Sequence, residues 1–261
     1  MTKKKGVIAA LVVLLAVLVA GAAAGAWWLL RVGESEQQVI QTLDSEEPPA
    51  IPEEQPSSTP AEKDLPPQNP IDFASLKAEN SDIFAWLYIP GCEISVPVLQ
   101  SPTDDLFYLT HDRDKNYDPL GTPFMQLANS TDLSDPVTVI YGHNKGLFGT
   151  LHYFEDAEFF SGNLDFYVYV PGHVYTYTIV SAYQYDSRHI LNSFDFSDEQ
   201  VLLDYFAFVQ NPDSIMQNVN PNVTLDASSR LLQISTCTTD LYDSSVRYII
   251  SAVLTGDQET R

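Results

Sequence analysis

Leu231-Leu232-Gln233-Ile234-Ser235-Thr236-Cys237 is an apolar run that ends on a thiol. Its Leu, Ile and Thr suit a buried strand, and the strand delivers the cysteine at its C-terminal end. About ten residues on, Arg247-Tyr248-Ile249-Ile250-Ser251-Ala252-Val253-Leu254 is a second apolar strand, headed by a guanidinium. Upstream, Val137-Thr138-Val139-Ile140-Tyr141-Gly142-His143-Asn144 delivers an imidazole in the same way. A thiol, an imidazole and a guanidinium at three strand ends are the parts of a cysteine acyl-transfer site. The thiolate attacks an acyl carbon, the imidazole moves the proton and the guanidinium stabilises the oxyanion.

Working outward, further β-rich runs separated by turn residues occupy 84–89, 94–100, 122–127, 164–170 and 173–185, and the strands of the three runs above are placed at 137–141, 229–236 and 246–254. Tyr175-Thr176-Tyr177-Thr178-Ile179-Val180 is the most strand-like of them. Eight such runs predict a mainly β chain closed, or nearly closed, into a barrel. Spacing alone does not separate a barrel from a sandwich. Three segments read as helical. Ile71–Asn80 suits a short helix ahead of the strands, and Gly146–Phe160 carries Leu147, Leu151 and Phe154 at helical spacing. Ser197–Asn211 opens on a Ser cap with an acid in its first turn and is stopped by Pro212.

Each candidate residue has a plainer reading. Cys237 alone reads as a buried core residue, and a lone arginine at a strand start as an ion-pair or surface residue. The trio of Cys237, His143 and Arg247 changes that: a thiolate is favoured by nearby cations, and Arg247 or a protonated His143 would supply one. His143 differs from His111, His152, His173 and His189 in ending the most apolar central strand, between Gly142 and Asn144. It is assigned acid/base work. His111 lies in a charged loop, and none of the other three has a second ligand at metal spacing, so neither a metal nor another cofactor is expected. Ser235 and Thr236 flank the thiol and are the substrate-contact candidates; alternation sends them to opposite faces of the strand. Asp240 and Asp243 read as solvated turn acids. The second cysteine, Cys92, leaves two possibilities: one disulfide in an exported chain, or two free thiols, of which the strand-end setting of Cys237 favours the second.

The rest of the chain concerns address. Of 261 residues, Val7–Leu30 form an almost uncharged apolar run long enough to cross a bilayer as a helix. Lys3, Lys4 and Lys5 precede it, which places residues 1–6 in the cytoplasm and the remainder outside; Trp27 and Trp28 fall where an interfacial belt lies. A cleaved signal peptide is the rival reading, but its apolar core is usually shorter. Residues 31–70 hold eight of the 17 prolines and many acids, and read as a disordered spacer before a catalytic domain at 71–261. The formal net charge of −22 excludes nucleic acid and electrostatic adhesion to anionic lipid as partners.

Ile234-Ser235-Thr236-Cys237 before a loop and an Arg-headed strand resembles the active-site signature of sortases, and Tyr141-Gly142-His143-Asn144 resembles their histidine segment. The separations of about 94 and about 10 residues fit as well. Asp82–Gly91, the segment around Phe107-Tyr108-Leu109, and Gly121-Thr122-Pro123-Phe124-Met125 look like the class B branch, over roughly residues 71–255. Gln233 and Ile234 stand where the family usually has Thr and Leu. The resemblance implies an eight-stranded sortase barrel with a helix inserted before the cysteine strand. It implies a membrane-anchored, extracellular transpeptidase that cleaves a C-terminal sorting signal, holds the protein as a thioester on Cys237, and passes it to an amine. That amine belongs to a peptidoglycan precursor or to a pilin lysine. The Asp-Pro-aromatic lid of class C is absent: Asp118-Pro119 is followed by Leu120. So is the Ser-His-Gly-Cys-like motif of transpeptidases that cross-link peptidoglycan directly. The alternative from another class is a non-catalytic extracellular β-barrel binding module in which Cys237 is structural.

Overall fold

The computed structural model describes residues 65–237 and 245–261, with Cys237 described by its backbone alone. The described residues form nine strands: β1 (Ile83–Ile89), β2 (Ile94–Leu99), β3 (Phe124–Met125), β4 (Val137–Tyr141), β5 (Asp165–Val170), β6 (His173–Asp186), β7 (Gln217–Val219), β8 (Leu231–Cys237) and β9 (Val246–Glu259). They hydrogen-bond in the order β5-β1-β2-β3-β4-β8-β9-β6-β7, and β5 also pairs with β6. That last pairing closes eight strands into a barrel, as expected, and leaves β7 outside as a ninth strand on the edge of β6. The sheet is mixed. β4 and β8 run parallel, whereas β8–β9 and β6–β9 are antiparallel.

Inside the barrel, Leu87, Val96, Val98, Ile140, Phe148, Phe166, Val168, Ile179, Leu232, Ile234 and Ile250 form one buried cluster. Among the described residues four α-helices decorate it: α1 (Phe73–Glu79), α2 (Ala157–Gly162), α3 (Ile190–Ser193) and α4 (Glu199–Gln210). α4 buries Leu202, Tyr205, Phe206 and Val209, the i, i+3, i+4, i+7 stripe of an amphipathic helix, against Val139, Val180, Leu231 and Ile249 on the outer face of β4, β6, β8 and β9. Each of these side chains contributes about 1.5–3 kcal/mol by leaving water. The inserted helix is therefore bolted onto the strands that carry the candidate site.

Several details differ from the sequence reading. Asp198, not Ser197, caps α4, accepting from the Gln200 and Val201 amides, while Ser197 donates its hydroxyl to Asp195. Residues Gly146–Glu155 form a 3₁₀ helix rather than an α-helix, with α2 following. The buried residues are Phe148, Leu151 and Phe154, spaced by three, which is the 3₁₀ repeat. The predicted strand at 122–127 pairs only at Phe124–Met125. At the other extreme, β9 runs on to Glu259 because its polar end pairs with the start of β6. Pro66, Pro67 and Asn69, spacer by composition, are bonded to Arg261 and Val170. The anchor run 7–30 and most of the spacer lie outside the described residues, among which no helix is long and apolar enough to cross a membrane.

Candidate active site

Three strands lying side by side in the barrel wall, β4, β8 and β9, bring the candidate residues together. Tyr141 is level with Ser235 in the parallel β4–β8 ladder, and the Gly142 amide continues the ladder by donating to the Ser235 carbonyl at 3.1 Å. Two residues further along each chain stand His143 and Cys237. In the antiparallel β8–β9 ladder Cys237 lies directly opposite Arg247. The backbones of His143, Cys237 and Arg247 are thus neighbours across one end of the barrel, with the cysteine in the middle. Strands sit about 4.8 Å apart, so Arg247 flanks the cysteine position at a backbone separation of about 5 Å, and His143 lies just past the end of β4 on the other side. The side chain of Cys237, the loop 238–244 and the two acids placed there, Asp240 and Asp243, lie outside the described residues.

His143 is half-buried, and its Nε2 lies 2.9 Å from the Leu109 carbonyl oxygen. A carbonyl only accepts, so Nε2 carries a proton and donates it. The tautomer follows from that partner: Nδ1 is the nitrogen left to give or take a proton in chemistry. Sequence reasoning could not see this contact, because the partner is a main-chain oxygen 34 residues away that any residue type would supply. Arg247 is half-buried at the start of β9, and its Nη1 donates to the Val246 carbonyl at 3.1 Å.

Ser235 and Thr236 part company, as alternation requires. Ser235 shares its level with Tyr141 and Ile249, on the side that α4 covers. Thr236 pairs with Tyr248, which belongs to the barrel interior. It is 2% exposed, and among the described residues its hydroxyl, like that of Tyr248, has no hydrogen-bond partner. Tyr141 stacks on Phe124 at 5.7 Å and tilts against His189 at 6.2 Å, which makes an aromatic wall beside Ser235. Burial pushes the Tyr141 phenol well above its ordinary range, with the Asp105 charge adding to the effect.

Cys92 is a free thiol, 1% exposed, donating to the Thr150 carbonyl at 3.4 Å. Burial raises it to about 12, which keeps it protonated and unreactive. It is therefore not the disulfide partner that the rival reading of the two cysteines requires. No group of three or more His, Cys, Asp or Glu among the described residues is arranged to hold a metal ion. A strand-end cysteine whose backbone neighbours a histidine and an arginine is an arrangement that acyl transfer through a thioester can use.

Comparison with known proteins points the same way. No family model matches the chain. Sortase B of Listeria monocytogenes is 27% identical over 187 residues, covering 70% of this chain and 74% of that protein. Sortase B of Staphylococcus aureus is 26% identical over 181 residues, 68% and 72% of the two chains. Among solved structures, Clostridium perfringens sortase B superposes with a TM-score of 0.60 at 26% identity, over 70% of this chain and 99% of that one. A Streptococcus pyogenes class B sortase involved in pilus biogenesis shares the fold, with a TM-score of 0.59 at 22% identity, over 71% and 98% of the chains.

Proposed function

We propose that the chain is a class B sortase, a cysteine transpeptidase that works outside the cell from a membrane anchor, cutting C-terminal sorting signals at Cys237 and passing the protein to an amine. The observation that supports this is the strand register: Cys237 on β8 lies opposite Arg247 on β9, and His143 follows β4 two residues past Tyr141, which is level with Ser235.

In this reading the Cys237 thiolate attacks the scissile carbonyl carbon, and the charge that develops on oxygen is met by the Arg247 guanidinium. The tetrahedral species collapses with loss of the C-terminal fragment, whose amine takes a proton from His143 Nδ1. The protein is left as a thioester. An acceptor amine then attacks the thioester carbonyl, its proton returns to Nδ1, and the amide forms as the thiolate leaves. Protons and electron pairs balance over the two halves, and the enzyme returns to its starting state. The Leu109 carbonyl accepts from His143 Nε2, which leaves Nδ1 to carry the proton in both. Ser235, beside Tyr141, is assigned to substrate contact. The acceptor is an amine of a cell-wall peptide bridge or a pilin lysine; the fold is shared with an enzyme of pilus biogenesis. Residues 7–30 are assigned as the anchor, with the acidic spacer holding the barrel near membrane-held substrates and raising their effective concentration.

The test uses the full chain, purified in detergent and kept reduced, with a panel of sorting-signal peptides and a Cys237→Ala control. Intact-mass spectrometry detects an acyl adduct, and chromatography follows cleaved peptide with and without an added amine. A Cys237-dependent adduct with amine-enhanced turnover is the expected result. No adduct from any peptide would overturn the reading and leave a binding module with a structural cysteine. Removing residues 1–30 is expected to shift the chain out of the membrane fraction; retention there would refute the anchor.

A further inference from the structure

The carbonyl that holds His143 is itself held, by a buried hydrogen-bonded unit that takes no part in the chemistry. Leu109 ends a short 3₁₀ turn, Phe107–Leu109. On either side of its carbonyl the neighbouring oxygens are already used: that of Tyr108 accepts from the Thr122 amide at 2.9 Å, and that of Thr110 accepts from the Asp118 amide at 2.9 Å. Gly121 closes the arrangement. Its φ is +60°, and a Cβ there would come within 2.4 Å of the Tyr108 oxygen and 2.6 Å of the Leu109 oxygen. The peptide is therefore sandwiched, and the Leu109 oxygen faces His143.

Tyr108 fixes the turn from below. Its side chain is 1% exposed, and its hydroxyl donates to Asp82 Oδ2 at 2.7 Å while accepting from Asn80 Nδ2 at 2.9 Å. Asp82 is paired with Lys115 at 2.9 Å, and Asn80 also donates to the Arg113 carbonyl at 2.7 Å. Asn80 follows the last turn of α1 and Asp82 precedes β1, so the unit ties the turn to the barrel's first strand.

We propose that Tyr108, clamped between Asn80 and Asp82, is a positioning residue for the transpeptidase reaction: it sets the Leu109 carbonyl that keeps His143 in its Nε2–H tautomer and so leaves Nδ1 for proton transfer. A main-chain oxygen thereby does what a carboxylate does in a catalytic triad, fixing tautomer and ring orientation. The rate consequence rests on the assignment of His143 as the acid/base. Proton transfer is sensitive to geometry, and a displacement of about an ångström is enough to cost orders of magnitude in rate. Tyr108→Phe keeps the ring and removes both hydroxyl bonds, so it loosens the carbonyl without emptying the core.

The test has two readouts on the full chain. With ¹⁵N-labelled histidine, assigned by a His143→Gln control, wild type is expected to show neutral His143 as a single Nε2–H tautomer and Tyr108→Phe a mixture of both. The acylation rate of Cys237 is expected to fall about 5- to 20-fold, with Asp82→Asn in between. A merely structural role would lower the melting temperature without moving the tautomer signals. Nδ1–H as the neutral form in wild type overturns the proposal, and so does a Tyr108→Phe chain with unchanged signals and rate. Should Tyr108→Phe not fold, the same readings on Asp82→Asn decide. The imidazole measurement needs no substrate, so a chain that forms no acyl adduct refutes transpeptidation at Cys237 and leaves the orienting unit to be judged on its tautomer.

Discussion

Adding one methyl group at Gly142 should disable this enzyme, and one compensating change should restore it. Gly142 lies between Tyr141 and His143, and its backbone is not in the left-handed region, so the requirement for glycine there is steric. A Cβ would meet Phe148 Cδ2 at 2.5 Å, Cε2 at 2.6 Å and Cγ at 3.2 Å. Ordinary contact begins near 3.4 Å, so ring and backbone must separate by about 0.9 Å. Phe148 is fully buried in the barrel core, and its ring has nowhere cheap to go. Overpacking of this kind costs about 1–3 kcal/mol. If the backbone yields instead, His143 moves by a comparable distance, and acylation falls on the order of 100-fold. Phe148→Leu alone trims the ring and costs about 1–2 kcal/mol. Combined with Gly142→Ala it makes room for the new methyl, so the pair should be less damaged than the sum, with a coupling of about 1–2 kcal/mol and at least tenfold recovery of rate. Urea denaturation gives the stabilities, and intact-mass kinetics of Cys237 acylation gives the rates. A Gly142→Ala chain within about 0.5 kcal/mol of wild type, or strictly additive effects, would refute the argument from close packing.

Arg247→Ala is expected to lower Cys237 acylation about 10²- to 10³-fold, the usual effect of losing one oxyanion donor, with Arg247→Lys recovering only part because a point charge replaces a planar fork; stopped-flow acylation checks both, and a change below about threefold would remove Arg247 from the chemistry. Burial pushes the Asp82 carboxyl up, but the hydrogen bond from Tyr108 and the contacts with Lys115 outweigh it and leave it below its ordinary value. A depressed carboxyl stabilises the fold above its unfolded-state value of about 4 and loses that contribution as the pH falls through its folded-state value. Wild type should therefore be more stable than Asp82→Asn at pH 7, with the gap closing as the pH is taken down towards 2.5; a gap that stays constant in urea titrations would show that charge plays no part. Cys92, held protonated by burial, should resist iodoacetamide in the native chain at pH 8 and react only on unfolding; rapid native labelling at Cys92, read by peptide mapping, would contradict its placement.

What could be read in the sequence was whatever the strand period and strand ends encode. Leu231–Cys237, Val137–Tyr141 and the start of β9 are apolar runs with candidate chemistry at or just past a terminus, and the ladders set Cys237 level with Arg247 and Tyr141 level with Ser235. The missed features are those in which pattern and hydrogen bonding diverge. Thr255–Glu259 alternates with no apolar face, and belongs to β9 only because His173–Thr176 supplies a partner. Phe148, Leu151 and Phe154 repeat at three rather than 3.6, a difference too small to show over ten residues. The orienting carbonyl of Leu109 leaves no trace in side-chain identity, although the buried Tyr108 beside it, with Asn80 and Asp82 nearby, is the kind of satisfied polar cluster that a core seldom keeps without need.

Gln233 shows how a departure from a family pattern can have a structural cause. Thr is usual at this position among sortases; here a longer amide, fully buried, points to the face that α4 covers. Its Oε1 accepts from the Tyr205 hydroxyl on α4 at 2.9 Å, and its Nε2 donates to Ser251 Oγ on β9 at 2.9 Å and towards the Tyr183 hydroxyl on β6 at 3.4 Å. One side chain thus joins the inserted helix to three strands, four residues before Cys237. A threonine hydroxyl, two bonds shorter, would not reach Tyr205 and Ser251 together, and would leave buried polar groups unpaired at about 1–3 kcal/mol each. Tyr205, Ser251 and Tyr183 therefore form one unit with Gln233, and substitution at any one of them is felt at the others. The residue that departs most from the family pattern is the one that fixes the inserted helix onto the strand that ends on Cys237.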